Sequence, residues 1–340
     1  MAKSRKKVKT FDWRSTPTGR FLLKVAYVGS QHYGFAWQPA PANSVPLPTV
    51  ERDIFSALLE LQLIEGRGEC NYSRCGRTDK GVHAAGNYIA LDLRLRTNDE
   101  EYDYVKMLNA KLPRCVRILS AVPVPGYFDA RFSCLFRVYK YFFVPAGMDL
   151  ARMRLAAAFF IGEHDFRNFC KMDVEQVRHF RRRVISITVE EEGTTAVVTI
   201  TGLSYLWHQI RCMMSVLFMV GRGDEEPSVI GQLLDVERMP QKPVYEMADE
   251  SGLVLWNCFF EGIIEKENTE KWSRVYAEMY RTGIRDAAVL RCLSLRSEDA
   301  LAEPETDVPR HRQLLSRPVG PSLETRIQSL AKRKTRQMLD

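Results

Sequence analysis

The spacing of apolar residues along the chain predicts strands and helices in alternation. Branched and aromatic residues concentrate in runs that are typical of β-strands. The predicted strands cover residues 21–28, 87–93, 132–144, 184–189 and 194–201, with a closing strand near 253–256. Gly193 suits the turn of a hairpin joining the fourth and fifth runs. In the third run, strict alternation places Arg137, Tyr139 and Tyr141 on one face.

Apolar residues at helical spacing predict six helices between and after these strands. The predicted helices cover residues 49–61, 102–110, 153–160, 205–220, 228–234 and 322–338. Thr49 is a suitable N-cap for the first helix, and Gly221 and Gly223 end the fourth. The last helix is basic and amphipathic, and a polar linker is predicted near 297–309.

The charge distribution points to a polyanionic partner. Hydrophobic residues make up 45% of the 340 positions and charged residues 27%, which is typical of a folded protein. The net charge is +7, and basic residues cluster at 3–9, 178–183 and 332–336. Each cluster could be a solvated face, but three of them in one chain favour binding to nucleic acid.

Cysteine usage and the apolar runs indicate the cellular setting. The eight cysteines are scattered without a CxxC pair, and Cys70, Cys75 and His83 make a poor zinc pattern. We therefore expect a reducing compartment and no metal. The N-terminus lacks the apolar segment of a secretory signal, and the run 212–220 is too short to cross a membrane. The basic run 3–7 indicates nuclear import or RNA contact, so a nuclear and/or cytoplasmic location is expected.

The most informative stretch is Tyr-Ser-Arg-Cys-Gly-Arg-Thr-Asp-Lys-Gly-Val-His-Ala at residues 72–84. Gly76 and Gly81 permit a sharply turning loop, and Arg77 and Asp79 would share one face if the backbone between them is extended. These residues alone fit two interpretations. One is an ordinary turn with a surface ion pair, and the other is an ionised carboxylate that acts as a nucleophile.

The whole string resembles the signature of the TruA family of pseudouridine synthases, Gly-Arg-Thr-Asp-x-Gly-Val-His-Ala. The resemblance implies that Asp79 is the catalytic nucleophile and that Arg77 fills the gap left by a flipped base. The Arg-x-Tyr-x-Tyr pattern resembles the second family motif and places Tyr139 against the target uracil. The string Leu-Trp-His-Gln-Ile-Arg resembles the third, whose arginine, here Arg211, pairs with the aspartate.

Further substrate-binding candidates come from the same motifs: Arg74, His83, Tyr141 and His208. Tyr141 can also be a structural neighbour of Tyr139. The family brings an apolar residue near the base, which is either Leu253 or Leu255. Without the resemblance, an amphipathic strand and an arginine that reaches the surface would explain the second and third motifs.

The resemblance also implies a fold and an organisation. The fold is α+β: two subdomains with a mostly antiparallel mixed sheet flanked by helices, and an active cleft between them. We expect a basic tail at 1–20, an N-terminal subdomain with the catalytic aspartate at 21–125, a C-terminal subdomain at 126–265 and a helical extension at 266–340. Family members are commonly homodimers, and the reaction needs no cofactor.

The strings around residues 72–81, 164–173, 207–214 and 323–328 resemble the eukaryotic branch that modifies tRNA positions 38 and 39. His83 departs from the serine usual in that branch, and Val28 stands where bacterial relatives carry aspartate. The expected function is isomerisation of uridine to pseudouridine in the tRNA anticodon stem–loop. The alternatives are a synthase acting on other uridines, in tRNA or elsewhere, and an inactive RNA-binding homologue.

Overall fold

The computed structural model describes residues 12–39, 45–96, 102–175, 179–264 and 311–337. The chain divides into two compact units. Unit 1 comprises Met1–Leu135 with Asn257–Glu265, and unit 2 comprises Phe136–Trp256 with Lys266–Asp340. Residues 1–11 of the predicted basic tail lie outside the described residues, and they include the whole basic run at 3–9. The predicted linker at 297–309 also lies outside them.

Unit 1 is built on antiparallel strands. Its strands are β1 (Thr18–Tyr27), β2 (Ser73–Arg74), β3 (His83–Arg94) and β4 (Val116–Pro123). Strand β1 pairs with β3 on one side and β4 on the other, and β2 pairs with the opposite edge of β3. Leu23 lies opposite both Ile89 and Ala121 and is fully buried, so β1 is the centre of this core.

Two helices complete unit 1: α1 (Val50–Glu60) and α2 (Tyr104–Asn109). The side chain of Thr49 accepts a hydrogen bond from the Arg52 N–H at 3.3 Å, which confirms the predicted N-cap. Ile54 and Leu58 are buried on the inner face of α1, as their spacing predicts. Helix α2 is shorter than predicted because Asp103 caps it from outside, accepting from the Lys106 N–H.

Unit 2 is also antiparallel. Its strands β5 (Cys134–Phe143, whose first two residues belong to unit 1), β6 (Gly162–Asp165), β7 (Arg181–Glu192) and β8 (Thr195–Gly202) follow the order β5-β8-β7-β6. Strands β7 and β8 form the predicted hairpin, and Gly193 in its turn has φ of +65°. The last strand, β9 (Leu253–Phe260), gives its first four residues to unit 2 and its last four to unit 1.

The helices of unit 2 are α3 (Leu150–Ala158), α4 (Gln209–Gly221), α5 (Val229–Leu234) and α6 (Leu323–Gln337). Helix α3 begins before the predicted residue because Asp149 caps it, accepting from the Ala151 and Arg152 N–H groups. Helix α4 begins after the predicted residue because His208 has φ of +63°, a left-handed conformation that a helix cannot include. The α+β class and the antiparallel pairing confirm the predicted fold class.

The C-terminal segment of the described chain packs onto unit 2. Leu314 is fully buried, and its N–H donates to Glu225 Oε1 at 2.5 Å. The His311 ring also contacts this carboxylate at 2.9 Å. Val319 forms an isolated bridge with Pro243, and α6 follows as the predicted basic helix. Within the described residues, no helix is long and apolar enough to cross a membrane.

Candidate active site

The loop that carries Asp79, residues 75–82, runs from the end of β2 to the start of β3 in unit 1; we call it the Asp79 loop. Its first turn is held by the side chain of Asn87, which is fully buried. Asn87 Oδ1 accepts from the Gly76 N–H at 2.9 Å, and its Nδ2 donates to the Gly76 carbonyl at 3.0 Å. The Asn87 side chain therefore satisfies both backbone polar groups of Gly76.

The middle of the loop alternates between inward and outward side chains. Thr78 is buried, with its hydroxyl 2.7 Å from the hydroxyl of Tyr27, and its carbonyl accepts from the Phe35 N–H at 3.1 Å. Its neighbours point the other way, since Arg77 is exposed and Asp79 is half-buried. The predicted common face of Arg77 and Asp79 therefore agrees with this burial pattern.

The loop then turns back towards β3. The Val82 N–H donates to the Asp79 carbonyl at 3.2 Å, and the Gly81 N–H donates to the His32 carbonyl at 3.2 Å. Gly81 has φ of +79°, which favours glycine. A Cβ on Gly29 would lie 2.0 Å from the Val82 carbonyl oxygen, so the chain can approach the loop here only without a side chain. The loop is thus a fixed support for Asp79 and Arg77.

Arg74, a candidate for substrate binding, pairs with a buried acid. Its Nη1 bonds to Oε1 of Glu51, which is 2% exposed. The same carboxylate accepts from the Tyr72 hydroxyl at 2.6 Å and from the Trp37 N–H at 2.7 Å. Burial alone would lower the pKa of Arg74, but the adjacent carboxylate raises it overall. These contacts favour a structural role for Arg74.

His83 begins strand β3 beside the Asp79 loop. Its Nδ1 accepts a hydrogen bond from the Gly29 N–H at 3.2 Å, and burial lowers its pKa. The imidazole is therefore neutral at pH 7 with its proton on Nε2. Such a ring can donate one hydrogen bond but does not add positive charge for a phosphate.

Tyr139 lies on β5 of unit 2, opposite Ile200 of β8, and is half-buried. Its ring meets the ring of Tyr205 edge to face, with centroids 5.1 Å apart and planes at 86°. The Tyr205 hydroxyl is itself anchored, because it donates to the Ile200 carbonyl at 3.2 Å. The contact with Tyr205 therefore restrains the orientation of the Tyr139 ring.

Tyr141 is on the same face of β5 but in the core, with 4% exposure. Its hydroxyl donates to the Asp249 carbonyl at 2.7 Å, and its ring packs against Phe218. Burial raises its pKa to about 12. The structure therefore favours the structural interpretation of Tyr141 over substrate contact. Leu253 and Leu255 are both buried, so burial does not decide which of them approaches a base.

Arg211 lies in the first turn of α4, and its side chain is 12% exposed. Its Nε donates to the Ala248 carbonyl at 2.7 Å, and its Nη2 pairs with Glu250 Oε2 at 2.8 Å. A buried guanidinium needs a carboxylate, and Glu250 supplies one within unit 2. A guanidinium has five N–H donors, and these bonds use two, so it can hold a second acid. Pairing with Asp79 stays a prediction.

His208 caps α4 in the left-handed conformation described above, and its ring lies tilted against that of Trp207, with centroids 4.9 Å apart and planes at 50°. Burial, with the nearby charges of Arg211 and Lys171, lowers its pKa to about 4. The ring is neutral at pH 7, so any contact with RNA would be a hydrogen bond or stacking. Lys171 lies 4.2 Å from the centroid of the Trp207 ring.

Four supporting residues were missed in the sequence: Glu51, Asn87, Tyr205 and Glu250. Each acts through a contact distant in sequence, and none belongs to a spacing pattern. Glu51 carried one usable signal, since it precedes Ile54 by three residues and Leu58 by seven and so lies on the buried face of α1. The remaining three are unremarkable in sequence.

Comparison with known proteins gives the class that the motifs resemble, that of the pseudouridine synthases. A family model described as tRNA pseudouridine synthase matches residues 156–261. The tRNA pseudouridine(38/39) synthase of Bos taurus is 42% identical over 75% of this chain. The protein of that name from Saccharomyces cerevisiae is 40% identical over 79% of this chain. The tRNA pseudouridine synthase A of Thermococcus sibiricus is 34% identical over 80% of this chain and 97% of its own length.

The chain belongs to the tRNA pseudouridine synthase family. It spans 58% of the length of the Bos taurus relative and 63% of the Saccharomyces cerevisiae relative.

Proposed function

We propose that the chain isomerises uridine to pseudouridine in tRNA, at positions 38 and 39 of the anticodon stem–loop. The observation that carries the proposal is the Asp79 loop, which presents a half-buried carboxylate beside an exposed guanidinium on a clamped backbone. The tRNA pseudouridine(38/39) synthases named above support the choice of positions.

In this proposal Asp79 is the nucleophile. The C1′–N1 bond breaks, the uracil turns, a C1′–C5 bond forms, C5 loses its proton and N1 gains one. The carboxylate attacks either the ribose C1′, forming a bond that breaks when C5 bonds to C1′, or the uracil C6, forming a bond that breaks by elimination after C5 has bonded to C1′. Because the turn is fixed by Asn87 and Thr78, the carboxylate needs little reorganisation before the reaction.

Tyr139 and Arg211 support the same chemistry from unit 2. We assign to Tyr139, whose ring contacts Tyr205, a role beside the uracil: it either stacks on the base or removes the C5 proton. Arg211 keeps the nucleophilic acid ionised, since a neighbouring guanidinium stabilises the charged form. Its contacts with Ala248 and Glu250 hold the guanidinium in one orientation.

Arg77 takes the place of the extruded base. Flipping a stacked uridine costs a few kcal/mol, and an exposed arginine that enters the vacated position recovers part of this cost. Basic surfaces then bind phosphates without reading sequence, so RNA shape selects the substrate.

We further propose a homodimer, as the resemblance implies, and a nuclear and/or cytoplasmic location.

The test is incubation of the purified chain with a tRNA transcript, followed by mapping of pseudouridine. We expect the modification at positions 38 and 39, loss of turnover in Asp79→Asn, and unchanged tRNA binding in that variant. Asp235→Asn, a change at a half-exposed acid paired with Arg238, is the control and should retain turnover. Turnover in Asp79→Asn would refute the nucleophile. Modification of other uridines would favour a synthase with a different target. Binding of tRNA without modification would favour an inactive RNA-binding homologue.

A further inference from the structure

Three cysteines from distant parts of the sequence meet in unit 1. Cys75 follows β2, Cys134 begins β5, and Cys258 lies in the part of β9 that belongs to unit 1. Their sulfur atoms all lie within 4.8 Å of one another. Cys75 and Cys258 are buried, and Cys134 is half-buried. We call these three residues the thiol cluster.

The thiol cluster differs from the other cysteines of the chain in its chemistry. A single buried cysteine behaves as a small apolar residue, as Cys70 does, with its thiol directed at the Arg67 carbonyl. Three converging sulfurs form a donor set. Zn–S bonds of about 2.3 Å place thiolates roughly 3.8–4.0 Å apart, so shifts of about 1 Å would bring all three onto one ion.

The geometry points to a binding site for one soft cation, Zn²⁺ or Cu⁺, held by Cys75, Cys134 and Cys258. Thiolates select these ions over Mg²⁺ and Ca²⁺, which prefer oxygen. Three sulfurs within 4.8 Å of one another can all be thiolates only with a compensating positive charge, and a bound cation supplies that charge. Cys134 is half-buried, so it is the member of the thiol cluster that is most accessible to solvent.

Such an ion would act on the Asp79 loop through the backbone. Cys75 directly precedes Gly76, and its N–H donates to the Tyr88 carbonyl at 2.8 Å. The ion would tie this point to the first residue of β5 and to β9, closing two long loops of the chain. The sequence predicted no metal because the three cysteines share no spacing pattern.

The test is metal uptake by the full-length chain, purified under reducing conditions and stripped with a chelator. Zn²⁺ and Cu⁺ are titrated separately against a competing chelator, and stoichiometry is read by native mass spectrometry. Cd²⁺ serves as a probe, since its thiolate charge-transfer absorption reports sulfur ligation. We expect one ion per chain and a higher melting temperature with metal. The titration that saturates identifies the ion.

Cys134→Ser should weaken binding at least tenfold and abolish the rise in melting temperature. Because Cys134 is half-buried, this variant should fold, which circular dichroism verifies; Cys75→Ser and Cys258→Ser extend the series. Cys70→Ser is the matched control in the same unit and should bind as the parent chain does. Absence of stoichiometric uptake, or unchanged uptake in Cys134→Ser, would overturn the proposal. So would a disulfide within the cluster whose reduction restores no uptake. None of these measurements depends on isomerase activity.

Discussion

Asn87→Ala is the substitution that most directly tests whether the Asn87 side chain fixes the conformation of the Asp79 loop. Asn87 Oδ1 accepts from the N–H groups of Gly76 and Tyr88, both at 2.9 Å, and Asn87 Nδ2 donates to the Gly76 carbonyl at 3.0 Å. It also donates to the Tyr27 hydroxyl at 3.4 Å. In a fully buried site, polar groups left unpaired cost about 1–3 kcal/mol each. Water can enter the space left by the side chain and satisfy some of these groups. We therefore expect the free energy of unfolding to fall by about 2–4 kcal/mol, which is less than the full sum.

Asn87→Ala should lower turnover by more than the loss of folded protein can explain. A shift of about 1 Å at the reacting group can cost on the order of a hundredfold in rate. The assay is release of tritium from C5-labelled uridine in tRNA, at a temperature where the variant is fully folded. Hydrogen exchange of a peptide covering residues 73–82 should accelerate in parallel. Asn87→Asp keeps the oxygen that accepts from the Gly76 N–H but loses both N–H donors. Its turnover should therefore lie between that of the parent chain and that of Asn87→Ala.

Asn109→Ala is the matched control. Asn109 makes the same kind of amide clamp elsewhere in unit 1, accepting from the Ile118 N–H at 2.9 Å and donating to its carbonyl at 2.8 Å. It should lower stability by a similar or smaller amount and leave turnover of the folded fraction unchanged. Equal losses of turnover in the two variants, or full turnover in Asn87→Ala, would refute the positioning argument.

Three further outcomes follow from contacts in the site. Glu51→Gln should lower the free energy of unfolding by about 2–4 kcal/mol, because it leaves Arg74 without its buried carboxylate, while tRNA affinity changes little; urea unfolding and filter binding measure both. The lowered pKa of His208, about 4, means that the unfolded state binds its proton first, so stability should fall as pH drops from about 6.5 to 4. His208→Asn, which tolerates the left-handed backbone, should flatten that dependence in thermal melts. Tyr141→Phe should cost about 1 kcal/mol of stability without changing turnover, whereas Tyr139→Leu should lower turnover with little loss of stability; the reverse order would exchange their roles.

Local signals predicted most of the fold, and they failed where a backbone conformation is set by its surroundings. Thr49 capped α1 as predicted, because a cap is read within one turn of the chain. The apolar spacing of α4 continued back to residue 205, but the helix begins at Gln209. The left-handed His208 interrupts it, and no residue type in that stretch demands such a conformation.

Local signals also predicted some residues of the candidate site and missed others. Asp79 and Tyr139 could be proposed from short strings because their motifs fix several neighbours at once. The groups that hold them, Asn87 and Tyr205, could not be proposed, since each contact joins positions that only tertiary structure brings together. The thiol cluster is the extreme case, because one loop and two strands each supply one cysteine.

The two arginine–carboxylate pairs, Arg74 with Glu51 and Arg211 with Glu250, differ in which partner is buried. In the pair of Arg74 with Glu51, the acid is the fixed partner, with a side chain 2% exposed against 38% for the arginine. That arginine exists to neutralise a buried charge. In the pair of Arg211 with Glu250, the order is reversed, with 12% exposure for the arginine and 33% for the acid. The guanidinium is anchored at Nε by the Ala248 carbonyl, so its position does not depend on the acid. A cation held by the backbone and balanced by a more exposed acid can exchange part of that pairing for another carboxylate, which is the property that the proposed role of Arg211 requires.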